Sequence, residues 1–261
     1  VEQCAVTDQA DPRVLPGCDA KSHVGGSAVG VLVVHGFTGT PASVVGVYEA
    51  MADAGYHVEV PRLPGHGTSI DDMLTTSWAD WSAEVERSHS ELSQRADRIV
   101  AVGQSVGATL CLATALERPE LAGVVCINPA TQARDADTME MIDDFIEDGI
   151  AVVPGEGSDI ADPDSHDISY DGTPLLPLRS LVRDGITQIT HRFGELMMPL
   201  RLFTSRQDHV VPPADSEHLA ATYGGPGDHT WLERSYHVAT RAYERDLVFS
   251  GSVEFVQRVT G

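Results

Sequence analysis

The sequence predicts an α/β protein with a mostly parallel central sheet, helices on both faces of that sheet and a small inserted cap. Apolar, mostly β-branched runs such as Val29–Val34 and Ile99–Val102 are typical of buried parallel strands, and segments with helical periodicity separate them. The chain has 261 residues, which suits one large domain or one domain with an insertion, and its 42% hydrophobic content is enough for a substantial core.

The net charge of the chain argues against some classes of binding partner. The net charge is −22, and Lys21 is the only lysine among 17 basic residues, which argues against nucleic acid and against docking on anionic lipid. No apolar run approaches the roughly 20 residues of a membrane span, so we expect no stable membrane insertion. The first residues lack a basic region followed by an apolar one. We therefore expect a cytoplasmic protein, with secretion and a homodimer left open.

The chain divides into a polar leader (residues 1–27), a core (28–130 and 194–261) and a cap (131–193). Of the four cysteines, Cys111 and Cys126 fall in a predicted helix and strand, where they are expected to be buried and structural. Cys4 and Cys18 lie in the leader and could pair, but neither has metal-ligand spacing, so we expect them to be reduced.

The core elements follow one another as alternating strands and helices. Strands are predicted over 29–34, 56–60, 99–102, 122–128, 198–205 and 230–233, and helices over 42–54, 78–95, 106–118, 214–223 and 244–259. In the second helix an aromatic and apolar stripe recurs at helical spacing and is expected to be core. Its members are Trp78, Trp81, Val85, His89 and Leu92.

The segment Gly103-Gln104-Ser105-Val106-Gly107 lies between a predicted strand and a predicted helix. This G-x-S-x-G pattern in that context predicts a sharp turn that exposes a serine nucleophile. Its glycines are needed because strand and helix close on each other there and leave no room for Cβ atoms. Ser105 is therefore the candidate nucleophile.

A serine nucleophile needs a base and an acid that orients the base, and in this fold they follow the serine in the order acid, then histidine. Asp208 comes just after the strand that follows the cap, and His237 just after the final strand, so these two are the candidates. Weaker rivals are Asp215 and Asp228 for the acid, and His209, His218 and His229 for the base.

The negative charge that develops on the substrate carbonyl oxygen needs hydrogen-bond donors. The backbone N–H groups of Phe37, in the glycine-rich loop after the first core strand, and of Val106 are the candidate oxyanion donors. His66, in a second turn-rich loop, is expected to be structural rather than catalytic.

The cap contains an acidic stretch, because residues 135–171 hold thirteen acids and no lysine or arginine. Within it Met139, Ile142, Phe145, Ile146 and Ile150 form an apolar stripe at helical spacing. This stripe could line a hydrophobic slot for an acyl chain, or it could only anchor the cap to the core.

Five motifs follow one another along the chain: HGFTGTP at 35–41, PRLPGHGTSIDDM at 61–73, GQSVGA at 103–108, DHVVPP at 208–213 and SYHVAT at 235–240. Together they resemble the bacterial monoacylglycerol lipases and related carboxylesterases of the α/β-hydrolase superfamily. The resemblance implies a small cap, a Ser105-Asp208-His237 triad, oxyanion amides at Phe37 and Val106, and no metal or cofactor. It also implies an acidic cap residue that holds the glycerol head group, for which Glu147 and Asp148 are the candidates. Substrate-binding candidates in the cap are therefore Ile142, Phe145, Ile146, Glu147 and Asp148.

Three functions are compatible with these residues. The first is a serine esterase that cleaves monoacylglycerols through an acyl-enzyme, and the second is a broader carboxylesterase on short to medium acyl esters. In both, the partner is a small lipid or ester substrate. The third, of another class, is a non-catalytic binding module that retains the fold. The related epoxide and haloalkane hydrolases carry an aspartate at the position of Ser105, which argues against them.

Overall fold

The computed structural model describes residues 13–155 and 157–261. A seven-stranded sheet has the order β1-β3-β2-β4-β5-β8-β9; all its neighbouring strands are parallel except the edge strand β1, which pairs antiparallel with β3. The strands are β1 Lys21–His23, β2 Val29–Val34, β3 His57–Val60, β4 Arg98–Gln104, β5 Gly123–Ile127, β6 Val152–Pro154, β7 Gly172–Pro174, β8 Leu200–Ser205 and β9 Gly227–Leu232.

Helices lie between the strands and after the last strand. They are α1 Val45–Asp53, α2 Ile70–Met73, α3 Trp78–Ser93, α4 Val106–Glu117, α5 Ala136–Glu147, α6 Leu175–Ser180, α7 Thr187–Ile189, α8 Pro213–Thr222 and α9 Arg245–Thr260. A π-helical turn, Leu181–Ile186, joins α6 to α7. Within the described residues, the helices are all too short or too polar to cross a membrane.

The sheet is covered on both faces, which explains the continuous apolar strands. Successive residues of β2 point to opposite sides: Leu32 packs with α3 and α4, whereas Val31 and Val33 pack with α1 and α9. The α3 stripe is buried as predicted, and Cys111 and Cys126 are buried free thiols, also as predicted. The predicted fold class is confirmed.

The inserted segment lies between β5 and β8 and contains α5, α6, the π turn and α7. It also contains an antiparallel pair of strands, β6 and β7, that the sequence did not predict. Strands of three residues that include proline and glycine show no alternation of apolar and polar positions, so the pattern gave no signal.

Part of the predicted polar leader belongs to the sheet. Residues Lys21–His23 form β1 at its edge, where polar side chains suit a strand that is exposed on one side. Cys18 is fully buried and free, whereas Cys4 lies outside the described residues.

Candidate active site

Ser105 lies at the sharp turn between β4 and α4. Its backbone is left-handed, with φ 55° and ψ −123°, a strained conformation for a residue with a side chain. The Ser105 N–H donates to the carbonyl of Ile127 on β5 at 2.8 Å, which fixes the turn to the sheet. A Cβ atom at Gly103 would collide with the backbone of α4, and one at Gly107 with the carbonyl oxygens that end β2. Both glycines are therefore needed for the close approach.

The structure brings Ser105, His237 and Asp208 together from three loops at the carboxyl edge of the sheet. The Nε2 atom of His237 lies 2.9 Å from Ser105 Oγ, and its Nδ1 atom lies 2.8 Å from Asp208 Oδ2. The side chains of His237 and Asp208 are 9% and 2% exposed. With the proton on Nδ1, Nε2 is free to accept the Ser105 proton, the arrangement a serine nucleophile needs.

Other contacts hold Asp208 in place. Its second oxygen, Oδ1, accepts hydrogen bonds from the N–H groups of Val210 at 2.9 Å and Val211 at 2.8 Å. The rival acids lie elsewhere: Asp215 is buried and accepts from the backbone of residues 131 and 132, and Asp228 pairs with Arg258.

The rival histidines make other contacts. His209 Nδ1 lies 2.9 Å from Asp159 Oδ1, His218 Nε2 lies 3.2 Å from a backbone carbonyl oxygen, and His229 Nε2 lies 2.8 Å from a threonine hydroxyl. His237 is thus the histidine that the structure brings to Ser105.

The N–H groups of Phe37 and Val106 belong to residues that line the same cavity as Ser105. Val106 is the first residue of α4, so its N–H has no partner within the helix. Throughout the described part of the chain, no group accepts a hydrogen bond from either N–H. Both donors are therefore free to bind an oxyanion above Ser105.

Two buried histidines support the Phe37 loop. His35 Nε2 accepts the N–H of Leu63 at 3.2 Å, and the His66 ring packs edge-on against Phe37 and Trp81. Burial lowers the pKa of His35 to about 3 and that of His66 to about 4, so both rings are neutral at pH 7. His66 lies in this packed cluster and not in the cavity lining, in keeping with the structural role we expected for it.

A cavity of about 330 Å³ opens above Ser105. Its apolar wall is formed by α6 and the π turn. Its polar wall is formed by the segment between β2 and α1 and by the segment between β6 and β7. The apolar wall includes Leu178, Leu181, Val182 and Ile186, and the polar wall Thr38, Ser43 and Asp167. No cluster of three metal-ligating side chains occurs among the residues that the structure describes.

The structure does not bring the predicted cap residues to this cavity. Among the described lining residues none belongs to α5, so Ile142, Phe145, Ile146, Glu147 and Asp148 all lie outside it. Ile142 is buried, whereas Glu147 and Asp148 are exposed. The reason is that α5 packs on α6, and Asp143 of α5 forms ion pairs with Arg179 of α6 and Arg183 of the π turn. These contacts join α5 to neighbouring elements of the inserted segment. The elements that face the cavity are α6 and the π turn.

Asp167 is the acidic cap residue that does line the cavity, although it was not among the predicted site residues. Its Oδ2 accepts the Ser43 hydroxyl at 2.7 Å, while its buried Oδ1 has no hydrogen-bond partner among the described residues. Burial raises the pKa of this carboxyl, and the Ser43 hydrogen bond partly opposes that shift. No local signal distinguishes it, because Asp167 is one of thirteen acids in residues 135–171.

Comparison with known proteins yields a consistent set of relatives. A family model described as serine aminopeptidase, S33, matches residues 27–150. The chain is 37% identical to a thermostable monoacylglycerol lipase of Bacillus sp. (strain H-257), covering 89% of this chain and 92% of that protein. It is 25% identical to a carboxylesterase of Bacillus subtilis (strain 168), covering 88% and 92%. A metagenome-derived lipolytic enzyme of solved structure matches with a TM-score of 0.88 and 35% identity, over 94% of this chain and 99% of that one.

Proposed function

This chain belongs to the bacterial monoacylglycerol lipase and carboxylesterase family of the α/β-hydrolase superfamily, and we propose that it cleaves monoacylglycerols to glycerol and fatty acid. It is a serine ester hydrolase. We further propose a cytoplasmic location, supported by the three cysteines of the described residues, which are all free thiols.

In the proposed mechanism, His237 Nε2 takes the proton of Ser105 as Oγ attacks the ester carbonyl carbon. The N–H groups of Phe37 and Val106 donate hydrogen bonds to the oxyanion, and Asp208 stabilises the imidazolium. His237 then gives its proton to the leaving glycerol oxygen, which leaves an acyl group on Ser105. Water, activated by the same histidine, hydrolyses this acyl-enzyme and frees the fatty acid.

The observation that supports a glycerol ester is the Asp167 carboxylate. A buried carboxylate oxygen without a partner is costly, and the free hydroxyl groups of a glycerol moiety could donate to Oδ1. An alcohol without further hydroxyls would leave that oxygen unpaired. Asp167 therefore takes the head-group role that was predicted for Glu147 or Asp148.

The test compares kcat/KM for a monoacylglycerol and a p-nitrophenyl ester with the same acyl chain, in the parent enzyme and in Asp167→Ala. Loss of a hydrogen bond to a charged group is worth roughly 10- to 100-fold, and we expect that loss for the monoacylglycerol. The p-nitrophenyl ester, which has no hydroxyl to donate, should change by less than about threefold. Asp171→Ala, which removes an exposed acid four positions along the same segment, is the matched control and should change neither substrate.

Equal losses on both substrates in Asp167→Ala would contradict the head-group role. A strong preference of the parent enzyme for short activated esters would favour the alternative, a broader carboxylesterase. Absence of turnover on every ester would favour a non-catalytic binding module.

A further inference from the structure

One carboxylate of the inserted segment contacts both loops that hold the acid and the base. Asp159 lies between β6 and β7, and its side chain is only 11% exposed. Its Oδ2 accepts the N–H of His237 at 3.0 Å and the N–H of His209 at 3.2 Å. Its Oδ1 lies 2.9 Å from His209 Nδ1. Asp159 thus bridges the residue after Asp208 and the histidine base.

By binding both main chains, Asp159 holds the loop after β8 close to the loop after β9. Asp208 follows β8 and His237 follows β9, so the 2.8 Å contact between their side chains depends on how the two loops are held relative to each other. Asp159 binds the main chain of both loops with a single charged group, and hydrogen bonds to charged groups are stronger than neutral ones. The His209 ring also packs edge-on against Tyr236, at 4.6 Å between ring centroids.

The other side of His237 is held by the core. Asn128, at the end of β5, donates from Nδ2 to the His237 carbonyl oxygen at 2.7 Å. The main chain of the base is therefore fixed at its C=O by the sheet and at its N–H by the inserted segment. Of these two contacts, the one made by Asp159 links the position of the base to that of the inserted segment.

We propose that Asp159 is a positioning residue, which sets the geometry of His237 and Asp208 and makes it depend on the docking of the inserted segment. This inference rests on the proposed function, in which His237 is the base for Ser105. Asp159 does not line the cavity among the described residues, so it acts through His237 and not on the substrate.

The test is Asp159→Ala, with steady-state kinetics on a p-nitrophenyl ester and the rate at which a fluorophosphonate labels Ser105. Side chains that orient catalytic groups typically contribute 10- to 100-fold. We expect kcat and the labelling rate to fall together by about that factor, with KM changed by less than about threefold. Asp159→Asn should recover most of the loss, because its amide oxygen can accept both backbone N–H groups.

Asp162→Ala is the matched control. Asp162 belongs to the same segment and lies 3.7 Å from Arg245 in an ion pair that ties the segment to α9, away from the triad. It should keep the parent kcat and labelling rate. The backbone of residue 159 remains attached in Asp159→Ala, since the Val238 N–H donates to its carbonyl oxygen at 3.0 Å.

Proton NMR reports on the His237–Asp208 contact itself, which a change in substrate binding alone would leave as it is. The His237 Nδ1–H proton, held against Asp208, should resonate far downfield in the parent enzyme and in Asp159→Asn and Asp162→Ala. In Asp159→Ala the signal should broaden or move upfield.

The outcomes separate two failures. Parent-like kcat, labelling and NMR in Asp159→Ala, or equal losses in Asp162→Ala, would overturn the positioning role while leaving the triad intact. Turnover or labelling retained in Ser105→Ala would instead refute the proposed triad. If Asp159→Ala does not fold, Asp159→Glu, which keeps the charge and shifts it by one methylene, should lower kcat at least about fivefold; a parent-like kcat there would equally overturn the inference.

Discussion

Both carboxylate oxygens of Asp208 have hydrogen-bond partners. One oxygen accepts two backbone N–H groups, those of Val210 and Val211, and the other faces His237 Nδ1. Only a carboxylate satisfies both sides, because both sets of partners are donors in the active state. The position of Asp208 on the loop after β8 thus determines which tautomer of His237 is stable.

Asp208→Asn should therefore lower kcat by about 10⁴-fold. The asparagine oxygen would keep the N–H groups of Val210 and Val211, so its NH₂ would face Nδ1 and favour the histidine tautomer that carries its proton on Nε2. That tautomer cannot accept the Ser105 proton. Stopped-flow or steady-state hydrolysis of a p-nitrophenyl ester measures the effect. Asp228→Asn, at the exposed rival acid, should retain the parent kcat, and a comparable loss there would contradict the assignment.

The inserted segment is organised differently from the prediction. Helix α5 packs on α6, and the π-helical turn after α6 brings Leu181, Val182 and Ile186 to the cavity. A π turn shifts the face that successive side chains present, so a periodicity of 3.6 residues does not reveal which of them meet the substrate. The acyl chain is therefore expected to lie along this turn.

Val182→Phe should shorten the acyl chain that the enzyme accepts. Val182 is 3% exposed and lines the cavity, so a larger ring there fills space that a long chain would occupy. We expect kcat/KM for laurate esters to fall at least about tenfold, with butyrate esters within about threefold. Leu176→Phe, on the preceding helix α6, is the control, because Leu176 is 41% exposed and lies outside the cavity lining. Equal losses for both chain lengths would argue against this position for the acyl chain.

The free energy of unfolding should depend on pH because two histidines are buried. Burial lowers the pKa of His35 to about 3 and of His66 to about 4, whereas an unfolded histidine titrates near pH ~6.5. Between these values the unfolded chain binds protons that the folded chain does not, so the free energy of unfolding falls as the pH falls below ~6.5.

His66→Gln should reduce this dependence. The parent protein should lose about 2 kcal/mol for each of the two histidines between pH 7 and pH 5, and the variant should lose about 2 kcal/mol less than the parent over that range. Urea unfolding at both pH values measures the difference, even if the variant is less stable throughout. His191→Gln, at an exposed position, should give the parent dependence. Parallel curves for His66→Gln and the parent would contradict the linkage.

The local sequence was sufficient for the features that depend on neighbours along the chain. Apolar runs predicted the buried parallel strands, and glycines around Ser105 predicted the turn, since both depend on backbone sterics and burial. The order of Ser105, Asp208 and His237 also followed from the strands that precede them, although each distance between them had to come from the structure. The edge strand β1 was missed because its polar residues show no apolar pattern.

The features that remained hidden depend on contacts between distant parts of the chain. Asp167 binds Ser43 across 124 positions, and Asp159 binds the His237 N–H across 78 positions. In an acidic stretch every carboxylate looks alike, and only the folded path of the inserted segment separates a buried, unpaired oxygen from a solvated one. Packing also decided that α6 and the π turn, and not α5, face the cavity, because an amphipathic helix can bury its apolar side against any neighbour.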